Sequence, residues 1–225
     1  MQVEKIFQFK DDKKRLSVKI LEVVDPQYGL FTWPSAIVLA QYVWFYREKL
    51  QDKSVIELGC GTALPGVLAA LCDANVTLTD GEQFENCLKN ARKICEINGL
   101  GDNVNTSPLT WGSFSKTLLE MPKFDFILGS DCFYDPKDFD AILCTVAFLL
   151  DRNPTGEFWS TYQERSADWS IELLLQKWNL VCRHVPFSSF SRDFMNVEKT
   201  SGSLTSVQML VICHYDCASS DRSFK

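Results

Sequence analysis

The stretch that most constrains this chain is residues 53–66, KSVIELGCGTALPG. Val55, Ile56 and Leu58 make a short apolar run that reads as a buried strand, and Gly59 and Gly61 end it. Glycine has no Cβ, so the backbone can turn sharply there and a ligand can come close. Thr62 is placed to cap the helix that follows, and Pro65 falls in its first turn, where a missing N–H is harmless. Val67, Leu68, Ala69, Ala70 and Leu71 continue an apolar helix. The segment predicts strand, glycine turn and helix, with unpaired N–H groups facing the turn.

The details of that unit select among nucleotide-like ligands. A dinucleotide fold asks for G-x-G-x-x-G, and here the third-glycine position is Leu64, which argues against NAD or FAD. A phosphate-binding loop asks for G-x-x-x-x-G-K-[ST]. Gly61 and Gly66 have that spacing, but Val67 stands in place of the lysine. What remains is Glu57, Gly59 and Gly61 of an E-x-G-x-G pattern, followed by Asp80 at the end of the apolar run NVTLTD. A carboxylate at the tip of a second strand is placed to bind ribose hydroxyls. The pattern resembles the S-adenosylmethionine (SAM) site of class I, seven-strand methyltransferases. In that resemblance Ala63 departs from the third glycine of many such sites.

Strand and helix patterns alternate along the rest of the chain. Residues 3–10 and 16–24 alternate apolar and polar side chains, a hairpin reading, and Pro26, Tyr28 and Gly29 make a loop. Helices are expected over 34–50, 83–98, 141–150 and 170–178, with Leu173, Leu174 and Trp178 on one side of the last. Further strands are expected over 75–80, 103–109, 124–130, 157–162, 180–185 and 205–215. Residues 186–203 read as a serine-rich loop near the active face, and 218–225 as a frayed tail. The fold class is α/β: a mostly parallel Rossmann-like sheet with helices on both faces and an N-terminal β-hairpin extension over 1–30. At 225 residues the chain is long enough for one such domain.

Composition bounds the partners. No apolar run reaches the ~18 residues of a membrane span. The N-terminus lacks the apolar centre of a signal peptide, so a soluble intracellular protein without a membrane partner is expected. Nine scattered cysteines with no C-x-x-C pair read as reduced thiols, and Cys213, His214 and Cys217 lack a second ligand pair for a metal. A net charge of −6, from 29 acidic and 23 basic residues, disfavours a phosphate-binding surface and direct nucleic-acid contact. It suits a basic protein segment as substrate.

In an open α/β sheet ligands sit beyond the carboxyl ends of the strands, so candidate residues follow the strands. These are Gly59, Cys60 and Gly61, then Asp80, Trp111 in LTWG, and Ser130, Asp131 and Tyr134 in SDCFYDP. Trp33 can fold over the same face. A flat indole suits a base, and Trp111 and Trp33 can equally be packing anchors. Asp131 and Tyr134, at D-x-x-Y spacing, can hold a target nitrogen between a carboxylate and a ring. Asp135 is a possible second carboxylate toward a guanidinium. The [ND]-P-P-[YFW] pattern of nucleic-acid amino methylation is absent, since Ser130-Asp131-Cys132-Phe133 stands there.

Trp33-Pro34, the glycine turn, Asp80, Thr110-Trp111-Gly112 and Asp131-x-x-Tyr134 occur in the order seen in the family-16 protein methyltransferases, which the chain resembles over residues 29–165. The blocks WPSAIVLAQYVWF and WSTYQERSADWSIELLLQKW are similar to a branch of that family that methylates arginine of histone H3 in nucleus and cytoplasm. The resemblance implies SAM as cofactor, with Trp33, Glu57, Gly59, Cys60, Gly61, Asp80, Trp111 and Ser130 around it. Asp131 and Tyr134 would face the substrate, with no metal, and a monomer is favoured. Lysine methylation of another protein and a non-catalytic partner role in a transcription complex are the alternatives.

Overall fold

A computed structural model of the chain describes residues 2–23, 29–166, 169–190 and 207–215. Strands β1 (Gln2–Lys10) and β2 (Arg15–Val23) form the antiparallel hairpin. The remaining strands are β3 (Ser54–Glu57), β4 (Asn75–Asp80), β5 (Asn105–Pro108), β6 (Phe126–Ser130), β7 (Glu157–Gln163), β8 (Leu180–His184) and β9 (Val207–His214). They make one seven-stranded sheet in the order β5-β4-β3-β6-β7-β9-β8. All neighbours are parallel except β9, which runs antiparallel to both β7 and β8. The helices are α1 (Pro34–Phe45), α2 (Arg47–Leu50), α3 (Leu64–Ala70), α4 (Glu85–Ile97), α5 (Lys116–Glu120), α6 (Phe139–Arg152) and α7 (Glu172–Lys177).

The hydrophobic pattern explains the layers. β3 reads as a continuous apolar run because helices cover both faces of the sheet there. Val55, Leu64, Leu68 and Leu88 fall in the core on one face, and Ile56, Leu58, Ile142 and Val146 in the core on the other. Helix α1 is apolar nearly all round and is buried from Ser35 to Trp44 except at Gln41, whereas α4 has a single apolar stripe carrying Cys87, Leu88, Ala91, Ile94 and Cys95. Trp159 of β7 is fully buried against Tyr42 and Phe126, and its indole N–H donates to Glu157 Oε2 at 2.7 Å. A buried indole needs such an acceptor.

The hairpin docks through its inner face, Val18 and Ile20, and through Asn98. The Asn98 amide accepts from Lys19 N at 2.9 Å and donates to Lys19 O at 2.7 Å, so it closes an otherwise open strand edge. Buried Glu22 accepts from Thr32 N at 3.1 Å, and Thr32 Oγ1 meets Thr62 Oγ1 at 3.1 Å. The hairpin thereby ties the segment before α1 to the glycine turn.

Several boundaries differ from expectation. The helix expected over 34–50 breaks at Tyr46, where φ is −100° and ψ 18°, into α1 and α2. In α7 Leu175 is the buried residue, while Leu173 is 79% exposed. Helix α5 was not legible in the sequence, and Ser115 caps it by accepting from Leu118 N. Pro26, Tyr28, Cys217, the 218–225 tail and most of the 186–203 loop lie outside the described residues.

Candidate active site

The parallel order reverses at β3, which has β4 on one side and β6 on the other, and a crevice opens beyond the strand ends at such a point. Here it is a cleft of about 470 Å³. Its floor is the glycine turn. Gly59 and Gly61 have φ of +62° and +50°, in the left-handed region. A Cβ on Gly59 would lie 2.9 Å from the Trp111 indole, and one on Gly61 would lie 2.7 Å from the Gly29 carbonyl oxygen. Both glycines are therefore required by shape as well as by torsion.

The turn's N–H groups are less free than expected. Cys60 N donates to Thr79 O at 2.8 Å, and Gly61 N donates to Asp80 Oδ2 at 2.9 Å. Thr62 does not cap α3. The cap position is Ala63, whose φ is +56° and whose N–H donates to Cys60 O. Asp80 also accepts from Gly81 N at 2.8 Å through Oδ1. Burial pushes its carboxyl up to about 6, against the pull of those two N–H donors. Asp80 thus holds the turn and still presents lone pairs to the cleft.

Glu57 lies under the turn rather than in the cleft lining. It is fully buried and accepts from Gly66 N at 3.0 Å through Oε2, and Oε1 has no hydrogen-bond partner among the described residues. A Cβ on Gly66 would fall 2.4 Å from both Glu57 Oε2 and Leu78 Cδ2, so Gly66 is the glycine that lets α3 approach the sheet. Burial raises the Glu57 carboxyl from an ordinary 4.5 to about 8. The folded protein then keeps a proton that the unfolded chain releases, so between those values stability falls as pH rises. Glu57→Gln removes that slope: its midpoint should rise relative to wild type from pH 6 to pH 8. Parallel melting curves of the two proteins across that range would exclude the protonated carboxyl.

The walls come from four segments. Trp111 stands over Gly59 and is anchored by its neighbour: Gly112, at φ +72°, donates to Thr145 Oγ1 at 2.8 Å and packs on Ala141. Trp33 precedes α1 and meets Phe31 edge-on at 5.3 Å between centroids. Gln83, Phe84 and Cys87 line the side beyond Asp80. Ser130, Asp131, Tyr134 and Asp138 line the far end. The cleft therefore gathers Trp33, Gly59, Cys60, Gly61, Asp80, Trp111, Ser130, Asp131 and Tyr134, and of the expected residues leaves out Glu57. Asp135 is also elsewhere, capping a short turn and pairing with Lys137 at 2.7 Å.

Asp131 is the most constrained residue of the site. Its φ is +56°, its N–H donates to Thr161 O, and its Oδ1 accepts from Gln163 N at 3.3 Å. Arg165, which the sequence did not single out, grips both oxygens, Nη1 to Oδ1 at 2.9 Å and Nη2 to Oδ2 at 2.7 Å. Left-handed torsion at a non-glycine residue persists where the surroundings over-determine it. Strand β7 and its extension supply all three holds. Tyr134, 44% exposed, stands at the rim.

A seven-strand sheet of this order, with a glycine turn at its switch point and an acid at the tip of β4, defines the class I SAM-dependent methyltransferases. Among solved structures, the SAM-dependent methyltransferase from Agrobacterium tumefaciens shares this fold, with a TM-score of 0.58 at 14% identity over 93% of this chain and 70% of that one. The chain belongs to the lysine methyltransferase family, whose pattern matches residues 11–172. It is 52% identical over 182 residues to the histone-arginine methyltransferase METTL23 of Xenopus laevis, covering 81% of this chain and 77% of that one. It is 40% identical over 118 residues to the protein N-lysine methyltransferase METTL21A of Xenopus tropicalis, covering 52% and 53% of the two chains. The protein is a SAM-dependent protein methyltransferase. The cleft suits that cofactor: a floor where Gly59 and Gly61 carry no Cβ, a carboxylate facing in, and an indole wall.

Proposed function

We propose that this protein methylates arginine side chains of histone H3. The observation that carries the reading is the acceptor set at the far end of the cleft. Asp131 Oδ1, Asp131 Oδ2 and Gln163 O together receive a guanidinium fork, at 2.9, 2.7 and 3.2 Å. A planar guanidinium matches such a set and a point-like ammonium does not. The similarity to METTL23 of Xenopus laevis, named as a histone-arginine methyltransferase, favours the same target.

When bound, SAM supplies an electrophilic methyl group on a sulfonium. Trp33, Gly59, Cys60, Gly61, Asp80, Trp111 and Ser130 hold the cofactor, and Glu57 acts from below by fixing α3. Asp131 draws the guanidinium charge toward two nitrogens, leaving the third more nucleophilic, and holding it in line removes most of the entropic barrier. Methylation then releases one proton from the substrate nitrogen. Tyr134 forms the channel wall, and Asp138 adds negative charge at the mouth.

Asp80→Ala should weaken SAM about 10- to 100-fold, the equivalent of the ~1.5–3 kcal/mol of a charge-assisted hydrogen bond. Because burial pushes the Asp80 carboxyl up to about 6 and ribose hydroxyls donate to its ionised form, SAM affinity should be full well above pH 6 and decline as pH falls through it. Calorimetry giving one affinity at pH 5 and pH 7.5 would remove Asp80 from the ribose.

A second reading, lysine methylation, draws on the family's description and on METTL21A. Transfer from radiolabelled SAM to histone H3 and to a lysine-rich control, with mass spectrometry of the product, tests both. Methylarginine on H3 supports the first reading, and methyllysine alone would replace it. The same reading makes the protein a chromatin regulator present in nucleus and cytoplasm and acting as a monomer. Its net charge of −6 favours the basic histone tail over DNA as the direct contact. Cell fractionation and light scattering check these points.

A further inference from the structure

Arg165 raises a question that the methyl transfer leaves open. A carboxylate has about four lone-pair sites, and three of those on Asp131 are already taken by Arg165 Nη1, Arg165 Nη2 and Gln163 N. Asp131 therefore cannot grip a substrate guanidinium while Arg165 stays. Yet the seat is complementary to the group that a substrate arginine would bring, down to the third acceptor, Gln163 O. The two partners also differ in exposure: the Asp131 side chain is 11% exposed and that of Arg165 31%. The arginine lies at the open side of the cleft and the carboxylate at its closed side.

We propose that Arg165 is a placeholder in a guanidinium seat, and that substrate arginine enters by exchanging with it on Asp131 and Gln163 O. The inference rests on arginine being the target. In the empty site Arg165 keeps a nearly buried carboxylate paired, since an unpaired one would be strongly unfavourable. On substrate binding the same bonds re-form to an identical group, and the partly exposed Arg165 side chain turns to water. Arg165 gates occupancy in this scheme, and discrimination lies in the acceptor set of Asp131 and Gln163 O. Arg165 sets a threshold that a cation must exceed, and an arginine exceeds it by rebuilding the whole fork. Displacing Arg165 is the same step for every entrant. Its removal therefore leaves the ratio between arginine and lysine substrates unchanged while improving both.

The test compares the wild-type chain with Arg165→Ala, in steady-state transfer from SAM to an H3 tail peptide and in calorimetry with methylguanidinium chloride at matched ionic strength. If the seat is open about a tenth of the time in wild type, removing the occupant lowers the peptide KM about 10-fold. Methylguanidinium should then bind the variant about 10-fold more tightly than wild type, and should compete with the peptide. Two results overturn the proposal. One is a lost kcat that methylguanidinium restores, which would make Arg165 a positioning residue that merely orients Asp131. The other is equal methylguanidinium binding by both proteins. Should Arg165→Ala not fold, Arg165→Gln carries the same comparison, because it too removes the fork. Should no arginine be methylated by either protein, the target assignment fails while the calorimetry, which needs no turnover, still decides the seat.

Discussion

Asp131→Asn should lower methyl transfer to histone H3 by about 100-fold, the scale of losing one preorganised electrostatic contact in an active site, while SAM affinity changes less than twofold. Asparagine keeps the shape of the side chain, and its carbonyl oxygen can still accept from Gln163 N or from one Arg165 nitrogen. What it removes is the charge and the second acceptor. A guanidinium held by a neutral amide keeps its charge spread over all three nitrogens, so the reacting nitrogen is a poorer nucleophile. The backbone at residue 131 is the weak point of any substitution, because φ is +56° there. Asparagine adopts that region as readily as aspartate, whereas alanine enters it at a cost in strain, so Asp131→Ala would confound chemistry with strain. The measurement is single-turnover transfer to an H3 peptide, with SAM binding read by calorimetry on the same preparation. Undiminished transfer would detach Asp131 from the chemistry, and an equal loss of SAM binding would move it to the cofactor side of the cleft.

How far the fold was legible depends on how local its causes are. β4 was readable to the residue because an apolar run and a terminal acid are contiguous in the chain, and the same holds for the glycine turn. The sheet was expected to be mostly parallel from the alternation of strands and helices, and it is. The place of β9 between β7 and β8 depends on pairings that no local pattern encodes. The E-x-G-x-G pattern points Glu57 toward the cofactor, whereas in the structure its buried side chain turns inward to Gly66 N. Gly66 is not singled out by the sequence because its phosphate-loop spacing from Gly61 is set aside once Val67 stands in place of the lysine, although a glycine two residues into a helix opposite a buried strand is a signal of close packing. Arg165 was missed because its partner lies 34 residues away and meets it only where β6 and β7 run side by side. A basic residue two positions past the end of a parallel strand, on the edge that carries the site, was the signal available.

Gly66→Ala should lower the melting temperature by about 4–16 °C, at roughly 2–4 °C per kcal/mol for a chain of this size, and should impair SAM binding with it. In an isolated helix the exchange would stabilise by up to ~1 kcal/mol through propensity alone. Here the added methyl would sit 2.4 Å from Glu57 Oε2 and 2.4 Å from Leu78 Cδ2, both on fully buried side chains. Overpacking of that kind costs about 1–3 kcal/mol. If α3 moves outward to relieve it, Glu57 Oε2 loses the Gly66 N–H. Among the described residues Oε1 has no partner, so the buried carboxyl would be left without a donor from them, at a further ~1–3 kcal/mol. The net of these terms is a loss of about 2–4 kcal/mol, and the same displacement shifts Ala63 and the turn that carries Gly61 and Asp80. Leu78→Ala in the Gly66→Ala background should recover part of the loss relative to the sum of the single changes, because it empties one of the two clashing positions. A melting temperature within 2 °C of wild type and intact SAM affinity in the single variant would show that Glu57 and Leu78 have room to yield. Strict additivity in the double variant would show that the loss arises elsewhere in α3.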